Sequence, residues 1–238
     1  MKMVKTGITF LVALTSFNGI RAQTADEIAN KYIDAMGGKD KIEQIKTIHM
    51  EGTYEAMGNQ GPTTVDIVTG SDYKLVSQVN GQSMVIVITD KSGWGIIPYL
   101  GQTAPTPTPD DAYKQVKGKL DVFGPLYNYA AKGNKVELAG KDGNAYKLKV
   151  TDKDNVEFMV YIDATTYYMT KISNTQNFMG QPMEVSTLFS NFKKVDAGVV
   201  LPFVLEISYG GQFSVTSTMT KIDVNKTIDP AIFEMPKS

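Results

Sequence analysis

The hydrophobic period of this sequence changes at Lys46, and that change constrains the fold more than any other feature. From Lys46 to about residue 223, apart from a break at 100–131, apolar and polar residues alternate with the period of two that is typical of strands. Asn80-Gly81 is the strongest hairpin signal among the turns. We therefore predict consecutive antiparallel hairpins with about eleven strands, at 46–57, 62–70, 72–79, 82–90, 134–139, 144–151, 156–162, 167–175, 183–193, 199–209 and 212–223.

A helix is predicted at the start of this region. Thr24 and Glu27 have the spacing of a capping box, in which each residue bonds the backbone of the other. Ile28, Tyr32 and Met36 continue as an apolar stripe with helical spacing. A glycine pair at 37–38 ends this helix, and a short helical segment follows at 40–45.

The break at 100–131 predicts a second helical region. Three alternating prolines within 100–109 are incompatible with a helix or a central strand, so we expect a surface loop there. Thr108 and Pro109 then predict an N-cap and a first helical position. We expect helices at about 109–117 and 119–131.

The fold class follows from the order of these elements. An antiparallel sheet of about eleven strands is expected to curl, and helices at the start and middle can pack on its open side. We therefore predict a mainly antiparallel β fold with α-helices, in the form of a strongly bent sheet or partial barrel. All-β domains often reach about 200–250 residues, so residues 23–238 are expected to form a single domain.

Residues 1–22 resemble a cleaved secretory signal peptide. Lys2 and Lys5 precede a short apolar run at 8–14, and Ala22 suits the last position before cleavage. The apolar run is too short to span a bilayer, which takes about 20 residues. The mature protein is therefore expected to be soluble, outside the cytoplasm and without a transmembrane span.

Composition excludes several classes of function. Loss of Lys2, Lys5 and Arg21 with the signal leaves the chain acidic, which argues against a nucleic-acid partner. The chain has no cysteine, so it has no disulfide and no thiolate site. Arg21 is the only arginine.

Few residues suit catalysis or metal binding. His49 is the only histidine, no serine lies in a Gly-x-Ser-x-Gly elbow, and Asp152 to Asn155 are better explained by a β-turn than by a calcium loop. We expect no metal, no cofactor and no enzyme activity. A hydrolase would require a cleft in which His49 meets a carboxylate.

Methionines and aromatic residues are unusually frequent within the predicted strands. Methionine adapts to variable apolar shapes, and the strand at 156–162 is apolar at both parities. Composition alone leaves two explanations open. These residues either fill an ordinary core or line a surface that accommodates an apolar ligand.

Several short motifs resemble the LolA superfamily of outer-membrane lipoprotein carriers, which includes LolB-, LppX- and RseB-like domains. They are the strand-turn-strand motif at 89–99 with Trp94 and Pro98, the stretch at 198–202, and the C-terminal Ile228-Asp229 followed by Phe233. Carriers of this type latch their lid with an arginine on an early strand. That latch is not carried over, because the mature chain has no arginine.

The resemblance implies an unclosed (half) β-barrel covered by lid helices at 24–45 and 109–131. It implies a monomeric periplasmic carrier that binds acyl chains of lipoproteins or free lipid, with membrane-bound donor and acceptor proteins. The alternative is a binding or sensing module of RseB-like type with a protein partner and no transport. We expect Trp94 at the rim of the cavity, and the lipid-binding residues are expected to be Tyr73, Leu75, Met84, Ile86, Trp94, Phe158, Val160, Met169, Phe203, Leu205, Phe213 and Met219.

Overall fold

The structure, a computed structural model, describes residues 23–178 and 180–236. The predicted signal peptide at 1–22 lies outside the described residues. In the described part of the chain, three α-helices and thirteen strands are present. The helices are α1 (Ala25–Ala35), α2 (Lys39–Ile42) and α3 (Asp110–Val116).

All thirteen strands form one antiparallel sheet, as the hairpin pattern predicts. The strands are β1 (Thr47–Ala56), β2 (Asn59–Val68), β3 (Asp72–Val79), β4 (Gln82–Thr89), β5 (Gly93–Ile97), β6 (Gln102–Pro107), β7 (Lys135–Asp142), β8 (Ala145–Thr151), β9 (Glu157–Asp163), β10 (Met169–Phe178), β11 (Gln181–Lys194), β12 (Val200–Tyr209) and β13 (Phe213–Val224). Their order is β6-β5-β4-β3-β2-β1-β13-β12-β11-β10-β9-β8-β7. Since β6 and β7 are the two edges, the sheet is not closed into a barrel.

The sheet has two more strands than predicted, and both lie in a region where alternation is weak. Strand β5 is apolar or glycine at every position, so it shows no period of two. Strand β6 carries Pro105 and Pro107 and was expected to be a surface loop. Proline cannot donate a ladder hydrogen bond, but an edge strand pairs on one side only. The position of β6 at the edge therefore makes these prolines compatible with a strand.

The helix predictions are confirmed at the start of the chain and are partly wrong in its middle. Thr24 caps α1, and the Thr24–Glu27 capping box is present in both directions. Helix α3 lies within the predicted segment, although its N-cap is Pro109 rather than Thr108. The predicted helix at 119–131 is absent. A 3₁₀ turn at Lys117–Leu120 is followed by turns to residue 133, because Gly124 has a positive φ and precedes a proline.

The two faces of the sheet have separate hydrophobic cores. On what we call the inner face, α1, α2 and residues 122–129 pack with strand residues such as Ile48 and Val160 into the larger core. On the opposite or outer face, Val87 and Trp94 pack with Phe233 from a C-terminal 3₁₀ turn at Pro230–Phe233. Helices α1 and α2 therefore cover the inner face, whereas the C-terminal 3₁₀ turn covers part of the outer face.

Candidate functional site

Strand register places eleven of the twelve predicted lipid-binding residues on the inner face. The cross-strand pairs Tyr73 with Ile88, Leu75 with Ile86, and Leu148 with Val160 share the face of the larger core. The eleven inner residues are Tyr73, Leu75, Met84, Ile86, Phe158, Val160, Met169, Phe203, Leu205, Phe213 and Met219.

Trp94 is the exception, and its expected position at the rim of the inner cavity is wrong. It pairs with Val87, which lies on the outer face. Its indole Nε1 donates a hydrogen bond of 2.9 Å to the backbone carbonyl of Phe233, and only 6% of its surface is exposed. Trp94 therefore anchors the C-terminal segment rather than a ligand.

The centre of the inner face is filled by the protein's own side chains. Val160 is fully buried, and Met84, Met219 and Met169 are almost so. They belong to one cluster with Tyr32 of α1 and with Phe123 and Leu126 of the mid-chain segment. A ligand could reach these residues only if α1 or residues 121–133 moved away from the sheet.

The inner face is less covered toward the β1–β2, β3–β4 and β12–β13 turns. Five inner-face residues at this end are only partly buried, and we call them the open end. They are Ala56, Val79, Ile97, Ile207 and Tyr209. Three large apolar residues beyond the ends of β1 and β5, Met57, Tyr99 and Leu100, are strongly exposed. An apolar ligand can therefore contact this end without displacement of the helices.

Four inner-side tyrosines influence one another: Tyr54, Tyr99 and Tyr209 at the open end, and Tyr73 near the β2–β3 turn. Desolvation raises the pKa of each phenol above its ordinary value of 10.0, and the nearby phenols of Tyr99, Tyr209 and Tyr73 raise the pKa of Tyr54 further. The hydroxyls of Tyr54 and Tyr73 have no hydrogen-bond partner in the described part of the chain.

Lys119 brings a positive charge to the same face. Its Nζ lies 5.8 Å from the centroid of the Tyr73 ring. The residue is exposed to solvent, yet the surrounding protein desolvates the ammonium and lowers its pKa. No carboxylate in residues 23–178 or 180–236 forms an ion pair with it. The sequence analysis did not identify Lys119. Its contact with Tyr73 depends on how the 3₁₀ turn packs on a distant strand, and no pattern in the neighbouring residues indicates this.

The outer face carries a polar pocket of about 420 Å³ around the only histidine. His49 Nδ1 lies 2.6 Å from an oxygen of Asp66, and Nε2 lies 3.3 Å from an oxygen of Glu51. Lys221 lowers the pKa of Glu51 by a hydrogen bond, and Lys226 and Lys221 do the same for Asp223. The contact between histidine and carboxylate that a hydrolase would require is therefore present.

This pocket has few of the other parts that hydrolysis needs. Among the described lining residues, Thr227 is the only one with a hydroxyl group. Asp229 is the N-cap of the C-terminal 3₁₀ turn, and its own side chain already accepts the hydrogen bond of the Ala231 N–H. Two of the four carboxylates among these lining residues, those of Glu51 and Asp223, are already paired with lysines. In the described part of the chain, no three or more His, Asp or Glu side chains are arranged so that they could hold a metal ion.

Solved structures with a similar fold include proteins from three bacteria. A LolA superfamily protein from Nitrosomonas europaea is 13% identical, with 90% of this chain and 98% of that chain covered and a TM-score of 0.57. This chain has the LolA-like fold.

Two further structures share the LolA-like fold. A DUF1329 family protein from Desulfovibrio piger is 10% identical, with 88% and 97% of the two chains covered and a TM-score of 0.55. A domain described as an outer membrane lipoprotein-sorting protein from Vibrio parahaemolyticus is 14% identical, with 88% and 95% covered and a TM-score of 0.53. No family model and no curated protein matches the sequence. Among the described residues, no helix has the length and apolar character to cross a bilayer.

Proposed function

We propose that this protein is a soluble periplasmic carrier that binds acyl chains of lipoproteins or lipids on the inner face of its sheet. It receives them from a membrane-bound donor and delivers them toward the outer membrane. It performs no covalent chemistry. The observation that carries the proposal is the inner face itself, which is apolar along an open sheet and remains only partly covered at the open end.

The physical basis is the transfer of a hydrocarbon chain out of water. Each sheltered methylene contributes about 0.8 kcal/mol, so a sixteen-carbon chain is worth at most about 13 kcal/mol. A carrier must also release its cargo, and two features limit the affinity. The open end shelters a chain only in part, and deeper binding requires displacement of residues 121–133 from the buried cluster around Val160.

The filled centre of the inner face supports a second candidate, a binding or sensing module with a protein partner. In that case residues such as Val160 and Met84 are permanent core, and only the exposed residues near the open end make contacts. The two candidates differ in one measurable property. A carrier takes up acyl chains from vesicles and releases them to others, whereas a sensing module does not move lipid between membranes.

A pair of neighbouring substitutions tests where acyl chains bind. Ala56 is a half-buried open-end residue, whereas Glu55 is exposed on the outer face. We expect Ala56→Trp to reduce the binding of a fluorescent fatty acid at least tenfold, because the indole fills the space that the chain would occupy. Glu55→Trp adds the same bulk to the other face and should leave binding unchanged. Equal effects of the two variants, or no binding to the original protein, would refute the proposal.

The hydrolase hypothesis has its own test at the outer pocket. We expect no turnover of p-nitrophenyl acyl esters, because the ring nitrogens of His49 contact Asp66 and Glu51, and no hydrogen bond among the described residues joins His49 to Thr227, the one lining residue with a hydroxyl group. His49→Ala should leave acyl-chain binding unchanged. Turnover that is abolished by His49→Ala would instead identify an enzyme.

A further inference from the structure

Lys119 is a cation without a counter-charge on an apolar face. Other lysines close to it in sequence have carboxylate partners: Lys114 pairs with Asp111, Lys117 with Asp154 and Lys132 with Asp121. Within residues 23–178 and 180–236, Lys119 has none. An ammonium group that lies over an aromatic ring and has no carboxylate partner is available to a ligand of opposite charge.

The position of Lys119 relates it to the proposed binding surface. Leu120, the next residue, is buried, and its backbone carbonyl accepts a hydrogen bond of 3.0 Å from Gly70 N, at the turn that leads into β3. This contact holds the 3₁₀ turn against the sheet, with the ammonium close to the Tyr73 ring. Tyr73 is half-buried on the inner face, and its hydroxyl has no hydrogen-bond partner among residues 23–178 and 180–236. A charged donor and a phenolic donor therefore lie together beside apolar surface.

We propose that Lys119 binds the anionic head group of a long-chain amphiphile whose hydrocarbon chain lies along the inner face toward the open end, in the deeper binding mode that displaces residues 121–133. This inference rests on the proposed function and specifies its cargo. The acyl groups of a lipoprotein anchor are joined by ester and amide links, which carry no charge. A free carboxylate or a phosphate does carry one. The unpaired lysine therefore favours a free anionic lipid over a lipoprotein anchor, and carboxylate and phosphate head groups share the chemistry that it recognises.

The test compares head groups on a constant chain. Binding of palmitate, palmitoyl lysophosphatidate and monopalmitoylglycerol to the purified, delipidated protein is measured at pH 8 by displacement of a fluorescent fatty acid. We expect at least one anionic lipid to bind about tenfold more tightly than the neutral one, as for a charge-assisted contact. The better of the two anionic lipids identifies the head group as carboxylate or phosphate.

Three variants assign this preference to Lys119. Lys119→Met should remove the preference, because it should weaken the binding of the anionic lipid about tenfold without loss of monopalmitoylglycerol binding. Lys119→Arg should restore the preference. Lys114→Met is the matched control, since Lys114 is exposed and paired with Asp111, and it should change nothing. Retained binding of the neutral lipid also shows that Lys119→Met is folded.

The failures of the two proposals differ. Equal binding of neutral and anionic lipids would overturn the inference about Lys119 and leave the carrier function intact. A preference for the anionic lipids that persists in Lys119→Met would also overturn the inference about Lys119 and leave the carrier function intact. Failure of all three lipids to bind would overturn both.

Discussion

The hydroxyl of Tyr32 donates a hydrogen bond of 2.7 Å to the backbone carbonyl of Phe123, and both residues are buried. Tyr32 lies on α1, and Phe123 lies in the segment 121–133, which covers the inner face. The bond therefore joins the two elements that would have to separate for a ligand to reach the centre of that face. A larger residue at Gly124 would be strained, because its φ is +72° and its Cβ would lie 3.1 Å from the end of the Met169 side chain.

Loss of this bond should destabilise the protein. Tyr32→Phe leaves the buried carbonyl of Phe123 without its donor, and we expect the free energy of unfolding to fall by about 1–3 kcal/mol. Denaturant unfolding measures the change. Tyr129→Phe is a suitable control, because the Tyr129 hydroxyl bonds Asp26 at an exposed position and its loss should cost less than about 1 kcal/mol. Equal losses in the two variants would contradict the role assigned to Tyr32.

Buried phenols should make the protein sensitive to alkali. Desolvation raises the pKa of Tyr32, Tyr54 and Tyr73 well above 10.0 in the folded state. The folded state thus retains protons that the unfolded chain releases, so this contribution to stability is complete below pH 10 and is lost as the pH rises above it. We expect Tyr32→Phe to reduce the slope of stability against pH above pH 10 by up to about 1.4 kcal/mol per pH unit. The slopes of the two proteins should coincide between pH 7 and pH 9, and identical slopes above pH 10 would contradict the prediction.

The C-terminal segment should contribute strongly to stability although it lies outside the sheet. Phe233 is 5% exposed and packs on Trp94 and Val87, so Phe233→Ala is expected to cost about 3–5 kcal/mol. Met235 is two residues further on and is 45% exposed, and Met235→Ala should cost less than about 0.5 kcal/mol. Thermal or denaturant unfolding compares the two variants. A small effect of Phe233→Ala would show that the segment does not cover the outer face.

Trp94 fluorescence should report on the C-terminal segment and not on lipid. Phe233→Ala exposes the indole and should shift its emission to longer wavelength. Saturation with an acyl chain should leave the emission wavelength unchanged, because Trp94 lies on the face opposite to the proposed binding surface. A clear shift with lipid would place the ligand on the outer face.

Sequence reasoning succeeded where a signal is local. The Asn80-Gly81 turn joins β3 to β4 with both residues at positive φ, and Asp152 accepts backbone hydrogen bonds from Asp154 and Val156, as expected of a β-turn. Sequence reasoning failed where the conformation of a segment depends on a contact with residues far away in the chain. The conformation of β6 depends on its pairing with β5, and the apolar character of 119–131 is explained by burial under the inner face rather than by a helix.

The amino-acid pattern by itself determined that alternate residues of each strand share a face, since successive side chains of a strand point to opposite sides. That is why eleven predicted lipid-binding residues lie together. Only the tertiary structure decided what covers each face. Trp94 is covered by Phe233, which is 139 residues away, and Tyr73 is approached by Lys119 from another element. Strand periodicity carries no information about contacts between segments so far apart in the chain.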